Sequence, residues 1–279
     1  MTPQEGAAHG TAAAATVGLV LVLVSVALAP AGVALARRLV PGRIVFFARW
    51  GFSHVGLAVL AYFALAIGAA SLPAIGVKLE TPVELVTLGA GLQLATVAVV
   101  VSFARRLDPR GARCLGLESG GWGRAGALGV ASYLLALPGI AGLMAISSWL
   151  WPALGLEAEP QEVLKLVLGL DGVELAYVSF LAVVVVPLFE EVLFRAFLQP
   201  LLVQNLGDRG GVVVTALLFA ALHANLFAAL PIFALALVLG SVMLRTQRLA
   251  ACWLVHALHN GGMLALALSS DAAREWVGS

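Results

Sequence analysis

Residues 183–200 read VVVVPLFEEVLFRAFLQP, an oily run that holds two adjacent glutamates, Glu190 and Glu191, and an arginine, Arg195. An ionised side chain inside a bilayer costs a few kcal/mol at least. What such a stretch means depends on whether the chain is a membrane protein. It is 61% hydrophobic and only 11% charged, where ordinary soluble domains are about 25% charged, and its mean hydropathy is +1.02. A soluble exterior has no use for that much apolar surface. The formal net charge of +1 says little about partners. The arginines sit between oily segments without interleaved aromatics, which argues against a nucleic-acid partner. The composition therefore predicts an all-α polytopic membrane helical bundle whose main partner is the lipid bilayer.

A helix needs about 20 apolar residues to cross the hydrocarbon core. Segments of that kind lie near 13–36, 52–76, 84–104, 126–151, 173–205, 211–229, 231–246 and 249–269, so about eight transmembrane helices are expected. The first is read as a retained helix, because MTPQEGAAHG lacks the basic residues of a signal peptide. The fifth is long enough to bend, with Pro187 as the expected kink. If the eight spans alternate, thirteen of the sixteen lysines and arginines fall on one side, in 37–50, 105–125, at Arg195 and Arg209, and at Arg245 and Arg248. Only Lys78, Lys165 and Arg274 fall on the other. By the positive-inside rule both termini are then outside.

Residues 157–172, EAEPQEVLKLVLGLDG, alternate apolar and acidic positions at helical spacing and suggest a short amphipathic helix on the outer surface. This segment is also the natural seam. It divides an N-terminal four-span region (1–156) from a polar-bearing core (173–270), which a short polar tail (271–279) follows. Cys114 and Cys252 fall in different settings and form no disulfide framework.

All the deep polar residues belong to the second half. At ~1.5 Å per residue from the inner ends, His223 lies about 18 Å in, in the middle of span six. His256 to Asn260 lie about 10–17 Å in, and Glu190 some 20 Å. Residues at such depths face one another or a wet cavity rather than lipid. Glu191 and Arg195 are i,i+4 and can pair, while Glu190 is rotated about 100° away and is free to point elsewhere. His256 and Asn260 share a face, as do Phe219 and His223. A free carboxylate, two imidazoles and an amide suit hydrolysis of a peptide bond: Glu190, with a histidine, takes a proton from water, and the remaining imidazole and amide hold the oxyanion. The same residues could instead hold a divalent metal such as zinc through Glu190, His223 and His256, with a position left for water. Asn225 and His259 read as structural or supporting, and His9 and His54 lie near membrane ends. Cys252 shares a face with His256 and Asn260, but side chains lined up along one helix do not form a Cys-His-Asn trio.

These residues resemble the motifs of the CAAX protease and bacteriocin-processing (CPBP, or Abi) family of intramembrane endopeptidases. The family's EExxxR, FxxxH and HxxxN read here as EEVLFR (Glu190 to Arg195), FAALH (Phe219 to His223) and HALHN (His256 to Asn260). The likeness covers roughly 172–270 and leaves the first four spans without a signature. It implies an endopeptidase that cuts near the membrane in a membrane-associated or C-terminally anchored protein. It also implies that Glu190 and His223 activate water, that His256 and Asn260 stabilise the oxyanion, and that Glu191, Arg195 and Phe219 support them. Members are often called metalloproteases, and a metal-free glutamate mechanism is also argued for the group; the sequence leaves the metal open. Its alanine-, arginine- and valine-rich composition resembles that of GC-rich bacteria, which implies the bacterial cytoplasmic membrane. A proton-coupled transporter and a non-catalytic immunity or scaffold protein are the competing expectations. HExxH, GxSG and a deep aspartate pair are all missing from the sequence.

Overall fold

The computed structural model describes residues 3–40, 48–77, 79–117, 120–158 and 161–271. Arg43, Lys78, Arg274, the side chain of His9 and all but the first residue of the 271–279 tail lie outside the described residues. The described chain is helical throughout and contains no strand. The long helices are α1 (Pro3–Leu39), α2 (Phe52–Ala70), α3 (Pro82–Leu107) and α4 (Trp122–Ala153). A short α5 (Glu162–Leu168) follows, at the expected amphipathic segment. Next come α6 (Gly172–Phe180), α7 (Val186–Glu191) and α8 (Gln199–Leu222), joined without interruption by π-helical stretches at Leu181–Val185 and Val192–Leu198. α9 (Ala229–Thr246) and α10 (Leu249–Leu268) complete the bundle.

Seven of these runs are long and apolar enough to cross a membrane. The longest, Gly172–Leu222, has 51 residues and would measure about 77 Å if straight, over twice the ~30 Å hydrocarbon core. It is not straight. Gly207 takes φ 72°, ψ 173° inside it, and a Cβ at Gly211 would stand 2.5 Å from the backbone of Val203. The chain therefore doubles back at Gly207, and the run makes two passes. That restores the eight expected from sequence.

Each close approach follows from local chemistry. Pro138 sits inside α4, where it removes one backbone donor and disturbs the ladder around it. The Ser25 hydroxyl of α1 enters that gap, accepting from the Gly139 N–H at 2.7 Å and donating to the Leu135 carbonyl at 3.2 Å. Gly18 and Gly142 let the two backbones meet alongside; a Cβ on Gly142 would stand 2.5 Å from the Gly18 carbonyl oxygen. Small residues at a crossing are how membrane helices pack without a hydrophobic drive. Val17, Leu19, Val20, Leu23, Val26 and Val33 of α1 face outward.

At one end of the bundle the arginine-rich connections gather. The Trp50 indole donates to the Phe197 carbonyl at 2.8 Å and stacks on the Phe197 ring. The Asp108 carboxylate takes a double bond set from Arg110 and lies 4.0 Å from Arg49. Arg110's hydrogen bonds hold that carboxyl below its usual range against the opposing effect of burial. Gly116, at φ +81°, offers its carbonyl to the Leu249 N–H at the start of α10. α4 packs against both α9 and α10, and α2 packs chiefly on α3.

Candidate active site

The second glutamate-bearing segment is shaped by its proline. In the Leu181–Val185 stretch the Val186 N–H reaches back five residues to the Leu181 carbonyl. Ala182 thereby loses its α-helical donor, and the donor five residues on would be Pro187, which has no N–H. The Asn260 side-chain amide supplies the missing bond, donating to the Ala182 carbonyl at 3.1 Å. Two residues on, the Trp253 indole donates to the Val184 carbonyl at 2.9 Å. The expected bend at Pro187 thus takes the form of π-helical turns, and the Asn260 amide of α10 docks on the Ala182 carbonyl that the proline leaves open. Asn260 is where the sequence placed it, one turn from His256, but one amide hydrogen is committed to the backbone rather than aimed beside the imidazole. Trp253 was missed. No spacing in the sequence marked it, because the bond joins residues 69 positions apart.

Glu190 and Glu191 separate as helical geometry requires. Glu191 and Arg195 are both fully buried, with Oε2 and Nε 3.4 Å apart. The guanidinium lies 4.4 Å over the Phe219 ring, and its nitrogens make no hydrogen bond among the described residues. Charge pairing and the ring face hold it. Glu191 has a second partner that sequence spacing did not show: its Oε1 accepts from His256 Nδ1 at 2.8 Å. Glu191 is therefore more than a brace for Arg195. It fixes the orientation of a buried imidazole and turns His256 Nε2 toward Glu190 Oε2, 3.5 Å away.

His223 differs from expectation in its position on the chain. It does not lie in mid-helix; α8 ends at Leu222 and His223 is its C-cap. Ala224 takes φ +50°, and the Asn225 side chain caps the returning chain by accepting from the Ala228 N–H at 3.0 Å. The apolar Leu226 and Phe227 made the span look continuous to residue 229. From Gly207 the helix runs for about 22 Å at ~1.5 Å per residue, and its terminus delivers the imidazole to the cluster. His223 Nδ1 donates to the Phe219 carbonyl at 2.7 Å. A carbonyl only accepts, so the proton sits on Nδ1 and the Nε2 lone pair faces out. That atom is 4.0 Å from Glu190 Oε1. The gap is too long for a direct hydrogen bond and can be bridged by one water. Phe219 joins the parts, its ring centroid 4.6 Å from that of His223 and 5.8 Å from that of His256.

Glu190 and His223 keep 18% and 25% of their side-chain surface, whereas His256 keeps 3%. The exposed pair opens on a cleft of about 260 Å³ whose other wall includes Ala58, Val59, Tyr62 and Phe63 of α2 and Thr96 of α3. None of those five was a candidate from sequence, and no motif marks them. His259 turns away and meets the Tyr133 hydroxyl at 3.2 Å. Cys252 is fully buried with its thiol on the Leu239 carbonyl, so it takes no part. His54 accepts from the Gly51 N–H at the start of α2.

The three candidate metal ligands do not fit a metal as they stand. Tetrahedral bonds of about 2.0–2.1 Å place neighbouring donors about 3.4 Å apart, and Glu190 to His223 measures 4.0 Å. Among the described residues no group of three His, Cys, Asp or Glu is arranged to hold an ion.

No curated protein and no solved structure matches the chain. The family model described as Type II CAAX prenyl endopeptidase Rce1-like matches residues 172–262. Those residues include all three motifs and every polar group of the cluster. The glutamate pair, the helix-end histidine and the His256–Asn260 face thus all lie within the segment, residues 172–262, that is similar to the Type II CAAX prenyl endopeptidase Rce1-like family.

Proposed function

We propose that this protein hydrolyses a peptide bond of a membrane-associated or C-terminally anchored protein, with Glu190 as the base that activates water. The observation that carries the reading is the 4.0 Å separation of Glu190 Oε1 and His223 Nε2, both partly exposed at the edge of a cleft. With Nδ1 held by the Phe219 carbonyl, His223 presents a lone pair that orients the water, and Glu190 takes its proton as the oxygen attacks the carbonyl carbon. The proton then passes to the leaving amine. In this step His256 carries protons on both ring nitrogens, donating from Nδ1 to Glu191 and from Nε2 to the oxyanion, and the second amide hydrogen of Asn260 is the partner donor. Arg195 pairs with Glu191 and holds it in place. No step is routed through a metal, because the donors as arranged do not suit one.

The membrane setting extends the same reading. A multi-pass chain whose arginine-rich connections meet at one end, through Trp50–Phe197 and Gly116–Leu249 contacts, favours an orientation with that end inside and both termini outside, and its alanine-, arginine- and valine-rich composition favours the bacterial cytoplasmic membrane. The test is comparative peptidomics of membrane fractions from cells with and without the gene, repeated with Glu190→Gln and His223→Ala. Each variant is expected to insert normally and to lose processing by about 10²–10⁴-fold. A purified double variant that still cleaves the substrate refutes the assignment.

A further inference from the structure

The cleft beside Glu190 and His223 is built from two parts of the chain. The family domain supplies the catalytic edge and the back wall, where Phe194 and Phe219 are buried. The opposite wall comes from α2 and α3, which lie outside the matched residues. Ala58 and Thr96 close the floor on that side and are fully buried. Tyr62 stacks on Phe189 at 6.1 Å, tying α2 to the residue next to Glu190. The rim is different: Val59, Phe63 and Leu222 are 38%, 56% and 72% exposed. These residues lie on spans that cross the membrane, so the exposed rim faces lipid rather than water. Among the described residues, Glu190 and His223 supply the only carboxylate and imidazole that line the space.

Resting on the reading of Glu190 and His223 as the hydrolytic pair, we propose that α2 is the specificity wall of this site. It admits one large apolar side chain of a substrate segment that arrives sideways from the bilayer. At about 260 Å³ the space is smaller than the roughly 300–1,000 Å³ that encloses a drug-sized ligand; it takes a side chain or two and not a long lipid chain. A charged residue presented there would meet an apolar wall at membrane depth and be rejected. Val59 narrows the mouth through which the residue enters, Ala58 and Thr96 limit its depth, and Phe63 closes over it. The helices that carry no motif thereby acquire a role: the matched domain supplies the chemistry and the unmatched α2 selects the bond.

The experiment uses purified full-length Glu190→Gln protein in detergent micelles, which holds a segment without cutting it. The probe is a leucine-rich transmembrane peptide of about 20 residues with one benzoylphenylalanine near its centre. After irradiation and digestion, adducts are expected on residues 58–63 and not on the lipid-facing side of α1. Val59→Phe is expected to cut their yield about tenfold, the scale of one misfitted apolar group, and Phe63→Ala to raise it. Both substituted residues are partly lipid-exposed and support no core packing. Adducts that are absent, spread evenly over the outward helices, or unaffected by both substitutions overturn the proposal. The same peptide without the photoprobe, incubated with Glu190 intact and with Glu190→Gln, tests the hydrolytic reading separately. Equal cleavage by both sinks that reading whatever the adducts show.

Discussion

The bond from Asn260 to the Ala182 carbonyl can be tested by restoring the hydrogen that Pro187 lacks. In the native protein Asn260→Ala leaves that carbonyl buried with no donor, because Val186 is committed to Leu181. An orphaned buried acceptor costs about 1–3 kcal/mol. In a Pro187→Ala background the new backbone N–H lies five residues from Ala182 and can donate to it. There Asn260→Ala removes only a second hydrogen bond, about 0.5–1.5 kcal/mol. A double-mutant cycle is thus expected to show coupling of about 1 kcal/mol, above the ~0.6 kcal/mol average for polar pairs between membrane helices. Packing lost with the asparagine side chain appears in both backgrounds and cancels. The assay is reversible unfolding in mixed micelles, with the four proteins compared at one detergent composition. If Asn260→Ala costs the same in both backgrounds, the amide is not standing in for the proline's missing donor. Processing activity read on the same four proteins separates the two roles of Asn260. Loss in both backgrounds, even where stability recovers, marks an oxyanion contribution.

Other outcomes follow from the same geometry. Glu191→Ala strands the fully buried Arg195 and is expected to cost about 3–5 kcal/mol; Glu191→Leu with Arg195→Met should recover most of that stability in thermal unfolding while processing stays lost, because His256 Nδ1 has no acceptor. Full activity in that double variant would reduce Glu191 to a brace. Elemental analysis of the purified protein is expected to find well under one zinc per chain, with activity retained after chelation, since the donors do not close to bonding distance; stoichiometric metal and chelator-reversible loss would refute this. Gly142→Val drives a side chain into the Gly18 carbonyl and should loosen α1 by about 1–3 kcal/mol, seen as faster proteolysis of α1 with the remaining helices protected.

Much of the fold could be read directly. Oily runs of bilayer length between arginine-rich connections predicted the eight passes, because hydrocarbon thickness and charge placement act on the chain one segment at a time. The boundary at His223 could not be read that way. Leu226 and Phe227 continue the apolar pattern, and only the Ala224 backbone and the Asn225 cap reveal that the helix has ended. For the site, spacing separated Glu190 from Glu191, since a 100° rotation per residue is a property of any helix. It could pair Glu191 with Arg195 because both are on one helix, but not with His256, which is 65 positions away in the chain.

The sequence by itself determined which residues are polar at depth, which of them share a helical face, and that Pro187 would disturb the ladder around it. These are consequences of local geometry and of the bilayer as solvent. Tertiary structure alone decided where the freed Ala182 carbonyl found its donor, which carboxylate the buried imidazole chose, and that α2 closes the cleft. Those contacts join distant parts of the chain through packing, and no periodicity along one segment encodes which neighbour it will meet.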